Sequence, residues 1–154
     1  CPVVRSSGRC TFNDDNDRVF GTVQCAEIIA DSGGGSAPCM YGQMIATGAG
    51  TYDCTSGSMP GYCTTTAMCF KNNDAVIGDL VVDGNLCMKN SGEVEGNIFL
   101  TGNFASKNNS EITGTITAMG DVDIQNNVTI NALGGGAIAG FGGLYLFSFL
   151  ELPW

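Results

Sequence analysis

Glu93 and Glu111 stand 18 residues apart, and Asp79, Asp83, Glu95, Asp121 and Asp123 share the same stretch of chain. Paired carboxylates are the groups that glycoside hydrolysis uses, and they also hold cations. Asn13, Asp15 and Asp17 alternate like the start of a calcium loop. The EF-hand needs Gly at its sixth position and Glu at its twelfth, where this chain has Arg18 and Gln24. Asp15 and Asp17 are left as the one place for a looser cation site, and the expectation is no metal and no cofactor. The chain has no histidine, so an imidazole general base is ruled out.

The eight cysteines, Cys1, Cys10, Cys25, Cys39, Cys54, Cys63, Cys69 and Cys87, include no CxxC pair. That spacing disfavours zinc and c-type haem and reads as a disulfide framework in an oxidising compartment. A chain that opens on Cys1 leads to the expectation of a removed secretion signal. Two N-glycosylation triplets begin at Asn108 and Asn127. The net charge is -9 with six Lys plus Arg, which excludes nucleic acid and anionic lipid as partners.

These residues are positioned by a repeat of 18. Val76, Val94 and Ile112 fall in one column, followed by Gly78, Gly96 and Gly114, then Leu80, Ile98 and Ile116, then Val82, Leu100 and Ala118. Gly84, Gly102 and Gly120 come next, then Leu86, Phe104 and Val122. Each block closes on Asn72, Asn90, Asn108 or Asn126. A fixed period with two-residue alternation inside it describes stacked β-coils. Even positions point inward and odd positions outward, and the Asn column reads as an inward ladder at a corner. The signature aliphatic-x-Gly-x-aliphatic also starts at Val19 and Met40, and a degenerate copy, Ser58-x-Pro60-x-Tyr62, fills the block between Met40 and Val76.

The pattern at Val94, Gly96, Ile98, Gly102 and Phe104 resembles the coils of bactofilins. That resemblance implies a polymer-forming, right-handed triangular β-helix. The left-handed hexapeptide solenoid is disfavoured, because Asp83, Lys89, Glu95, Thr101, Lys107 and Thr113 occupy its aliphatic positions. The fold expected is therefore all-β: a single-stranded parallel β-solenoid of about six coils over 19–133. A Cys-bearing cap spans 1–18, and a Gly-rich hinge with an apolar arm spans 134–154.

Cys69 and Cys87 share an outward column on adjacent coils and are expected to pair. The arm is too short for a membrane helix. It is expected to dock on another subunit through Phe141, Leu144, Tyr145, Phe147, Phe149 and Trp154. Glu93 and Glu111 are expected to form a solvated ladder beside the Lys71, Lys89 and Lys107 column. The Thr113, Thr115 and Thr117 run lies along one coil and forms no ladder for ice.

The function expected is a non-enzymatic structural subunit of an extracellular filament or surface assembly, with its own copies as partner. A surface adhesin or glycan-binding solenoid is the second reading, and a carbohydrate-active enzyme the third.

Overall fold

The computed structural model describes residues 2–13, 18–31, 39–48, 50–55, 59–131, 138–140 and 143–146. At Pro2, 39–41, 138–140 and 143–146 the description is of the backbone alone. Asp15, Asp17, Phe141, Phe147, Phe149 and Trp154 lie outside the described residues, and so does the sulfur of Cys1.

The chain winds through coils of three short strands. The first holds β1 (Pro2–Arg5), β2 (Arg9–Phe12) and β3 (Arg18–Phe20), and the second β4 (Thr22–Cys25), β5 (Glu27–Ala30) and β6 (Cys39–Tyr41). The third holds β7 (Met44–Ala46), β8 (Thr66–Phe70) and β9 (Ala75–Ile77), and the fourth β10 (Leu80–Val82), β11 (Asn85–Lys89) and β12 (Glu93–Glu95). The fifth holds β13 (Ile98–Leu100), β14 (Phe104–Lys107) and β15 (Glu111–Thr113), and the sixth β16 (Ile116–Ala118), β17 (Asp121–Gln125) and β18 (Thr129–Asn131). A partial seventh coil adds β19 (Ile138–Gly140) and β20 (Gly143–Leu146). Every third strand stacks in parallel on its counterpart. Sheet A runs β1 to β19, sheet B runs β2 to β20 and sheet C runs β3 to β18. The chain is thus an all-β parallel solenoid.

The period-two pattern explains the core. Leu80, Val82, Leu86 and Met88 point inward, as do their partners one coil on: Ile98, Leu100, Phe104 and Ser106. All are buried. At the corner from sheet C to sheet A, Gly42, Gly78, Gly96 and Gly114 hold φ between +137° and +152°. A Cβ at any of them would strike the carbonyl oxygen of the glycine one coil below. This column therefore admits only glycine.

Three expectations need correction. The degenerate block at 58–62 is not a coil. Met44 pairs with Leu80 and Met40 with Val76, twice the usual step, so a whole coil length is spent outside the solenoid. The described residues of this stretch, 50–55 and 59–65, form a strap instead, closed by an antiparallel bridge between Tyr52 and Thr66 and by a 3-10 turn at Gly61–Thr64. The segment 1–18, read as a cap, builds β1 and β2, which pair in parallel with β4 and β5. Part of the expected arm also stays on its own solenoid: β19 pairs with β16 and β20 with β17, which places the backbone of Leu144 and Tyr145 in the wall of a seventh coil.

Candidate functional site: three outer faces and an open end

A three-walled solenoid presents three outer faces, and the sequence treats each differently. On sheet B the outward residues Ile29, Cys69, Cys87 and Ala105 form a second apolar cluster with Cys54 and Cys63 from the strap. Tyr52, Met59 and Tyr62 pack against it. Cys54 bonds to Cys69 and Cys63 to Cys87, with Cα separations of 5.8 and 6.0 Å. The expected Cys69–Cys87 bond is therefore absent, although the register behind it is right: the two residues are direct partners on β8 and β11. Side chains on neighbouring parallel strands leave the sheet side by side. The strap crosses above them and brings two sulfurs in from the opposite direction, which suits the convergent Cβ vectors that a disulfide needs. A third bond, Cys10–Cys25, lies in the lumen and ties the first coil to the second.

Charged groups hold the strap's first turn. Glu27 accepts from Arg9 Nε at 2.6 Å, and its other oxygen accepts from both the N–H and the hydroxyl of Thr51 at 2.6 Å. Burial raises the Glu27 carboxyl, but the Thr51 and Arg9 hydrogen bonds outweigh it and hold the group below its ordinary value. Arg9 and Lys71 each lie 4.9 Å from the centre of the Tyr52 ring.

Tyr62 donates its hydroxyl to the carbonyl of Phe104 at 3.0 Å, and burial beside Asp123 and Asp121 pushes its phenol up. Asp123 is itself raised, by burial first and then by Asp121. Lys89 donates to the Thr55 carbonyl, and burial lowers it, with neighbouring Lys71 adding to the effect. The lysine column thus meets the strap through Lys71 and Lys89. It does not flank Glu93 and Glu111 as expected, because β11 and β14 carry it on sheet B while the glutamates sit on sheet C.

Sheet C is the acidic face. Glu93 and Glu111 are register partners, as their spacing implies, and Glu111 accepts from Asn131 Nδ2 at 3.0 Å. Glu95 shares their face at the end of β12, and the other carboxylates lie elsewhere. Asp79 takes the N–H of Asn97 at a corner, Asp83 takes the Thr101 hydroxyl beside sheet A, and Asp121 and Asp123 belong to sheet B. Among the described residues no group of three metal-binding side chains occurs.

Among the described residues the middle of sheet A is apolar and uncovered. Ile45, Val81, Phe99 and Thr117 stack in register along it. With Thr47, Asp83, Thr101 and Met119 they line a shallow groove of about 370 Å³. Phe99 and Met119 are 45% and 57% exposed. The sequence signal for this face was available, since Val81 and Phe99 are large apolar residues at outward positions.

The corner between sheets B and C carries the asparagine ladder. Asn108 Nδ2 donates to Asn90 Oδ1, and Asn126 Nδ2 donates to Asn108 Oδ1, both at 3.1 Å. The ladder is on the surface and does not point inward as expected. Its residues take φ near +60°, in pairs with Ser91, Asn109 and Asn127, and two left-handed residues in succession break the strand parity. This separates the two glycosylation triplets. The Asn108 amide is committed to the ladder, and Ser110 is buried, with its hydroxyl on the Lys107 carbonyl. Asn127 is exposed.

Among the described residues the first coil is the least covered part of the core. Among the described residues β1, β2 and β3 are terminal strands of their sheets. Their inward residues Val4, Cys10, Phe12 and Val19 are only partly buried, whereas Val23, Ile28 and Ala30 one coil on are fully buried.

No protein-family model, curated protein or solved structure matches this chain. The bactofilin-like coil pattern therefore stands as a likeness of repeat alone. A disulfide-bonded solenoid is compatible with a structural or surface protein. The disulfides Cys10–Cys25, Cys54–Cys69 and Cys63–Cys87 fit an oxidising compartment, and among the described residues no helix is long and apolar enough to cross a membrane.

Proposed function

We propose that the protein is a non-catalytic structural subunit of an extracellular filament or surface layer, joined end to end through its coils. The first coil carries this reading. Among the described residues β1, β2 and β3 each have one unpaired edge, and four core side chains of this coil are only partly buried. Such an edge is a template for another chain. A heterologous contact of this kind extends into an open filament when its rotation does not close. The exposed Asn127 is the site for a glycan on the surface of such an assembly.

Light scattering after size exclusion, over a range of concentrations, tests the proposal. Growth into large species is expected for the natural chain, and Phe12→Glu, which charges the open layer, is expected to stop it. A folded natural chain that stays monomeric throughout would overturn the reading.

A further inference from the structure

Of the three outer faces, only sheet A can meet its own kind. Sheet B lies under the strap. Sheet C would oppose Glu93, Glu95 and Glu111 to themselves, and like charges face to face repel. Sheet A offers Ile45, Val81, Phe99 and Met119 with a single acid, Asp83, whose carboxylate already accepts from Thr101.

We infer that this face is a lateral pairing surface for a second copy of the chain, and that it bundles the filaments proposed above, a reading on which it rests. The groove draws on β7, β10, β13 and β16, four strands of three residues each. At strand spacing of about 4.8 Å and a rise of about 3.3 Å, that is roughly 200 Å² in projection. Each partner of a stable complex buries about 800 Å². Two isolated subunits would therefore pair only weakly through it. Along a polymer the same patch recurs once per subunit, and each contact makes the next one intramolecular. The stacked columns of any two copies share one period, so the faces can interdigitate like the two layers of a sheet sandwich. A small, mostly apolar, periodic patch thus favours side-by-side association of filaments over a soluble dimer.

Negative-stain images of polymers from the natural chain and from the Phe99→Ser/Met119→Ser variant test this. Both side chains are on the outer face, and matched melting curves establish that the variant is folded. The natural chain is expected to give laterally paired fibres. The variant is expected to give single fibres of similar length, with pairing reduced at least about tenfold. Natural fibres that are never paired, or variant fibres paired as often as natural ones, would overturn the inference and leave the filament reading intact. Absence of any fibre would overturn both. Binding of a polysaccharide that is lost in the variant, without fibre pairing, would assign the face to a glycan and overturn self-pairing.

Discussion

Sheets A and B present comparable outward surfaces, yet one is covered and the other bare. Sheet B lies beneath a strap held by two disulfides, an ion pair and two aromatic rings, and its outward Ile29, Cys69, Cys87 and Ala105 are as buried as the lumen. Sheet A keeps Phe99 and Met119 in solvent. The strap occupies a full coil length of chain, which would otherwise have lengthened the solenoid. The contrast teaches that covering a wall is a local choice of this sequence, made once among the described residues. The wall left bare is then the natural place to look for a contact.

The largest expected effect separates lumen from face at adjacent positions. Ile98→Asp places a charge in the buried ladder and is expected to cost about 4 kcal/mol or more, enough to prevent folding. Phe99→Ser, one residue on, is expected to change stability by less than about 0.5 kcal/mol. Circular dichroism melts check both, and equal losses would break the assignment of inward and outward sides. Asn97, on the other side of Ile98, is a poor comparator although it is outward, because its Oδ1 accepts from both the N–H and the hydroxyl of Thr115.

Next comes the strap. Replacing Cys63 and Cys87 together by Ser removes one of its two clamps and is expected to lower stability by about 3 kcal/mol. Peptide mapping of the unreduced natural chain should recover Cys54 with Cys69 and Cys63 with Cys87. A peptide joining Cys69 to Cys87 would overturn the placement of the strap.

A smaller effect is expected at the strap's polar strut. Glu27 has a lowered carboxyl, so its contribution is fully present above the ordinary carboxylate value and is lost as pH falls through the folded value. Glu27→Gln is expected to cost about 1–2 kcal/mol at pH 7. The gap to the natural chain should close as the medium is acidified below the ordinary carboxylate range. A gap independent of pH would contradict the strut.

Asp123 has the opposite sign. Its carboxyl is raised by burial, so its ionised form opposes folding at neutral pH and the penalty fades in acid. Asp123→Asn is expected to stabilise by on the order of 0.5 kcal/mol at pH 7 and to have no effect once the natural Asp123 is protonated. Destabilisation at pH 7 would show that the Gln125 and Lys107 contacts outweigh the burial.

How much could be read in advance follows from what repeats. The columns of Val76, Val94 and Ile112 and of Leu80, Ile98 and Ile116 announced the coil, its register and its core, because stacking imposes one environment on each column. The strap was illegible for the converse reason: Cys54, Tyr52 and Glu27 meet once, at a contact with no periodic partner. The Cys69–Cys87 expectation used a correct register and missed the residues that approach from above it. The asparagine ladder was foreseen as a ladder, but strand parity could not place it, since parity ends where φ turns positive. The bare face was visible in Val81 and Phe99, yet an outward apolar residue carries little meaning until its neighbours show whether anything covers it.

End-to-end assembly is the central claim, and the axial repeat of the fibre tests it most directly. The seven described strands of sheets A and B, at about 4.8 Å each, give the described coils roughly 34 Å along the axis. Averaged electron micrographs of the natural chain should show unbranched fibres with an axial repeat near that value. A concentrated, folded preparation that yields only separate particles, or fibres whose repeat matches the width of the solenoid and not its length, would contradict the account.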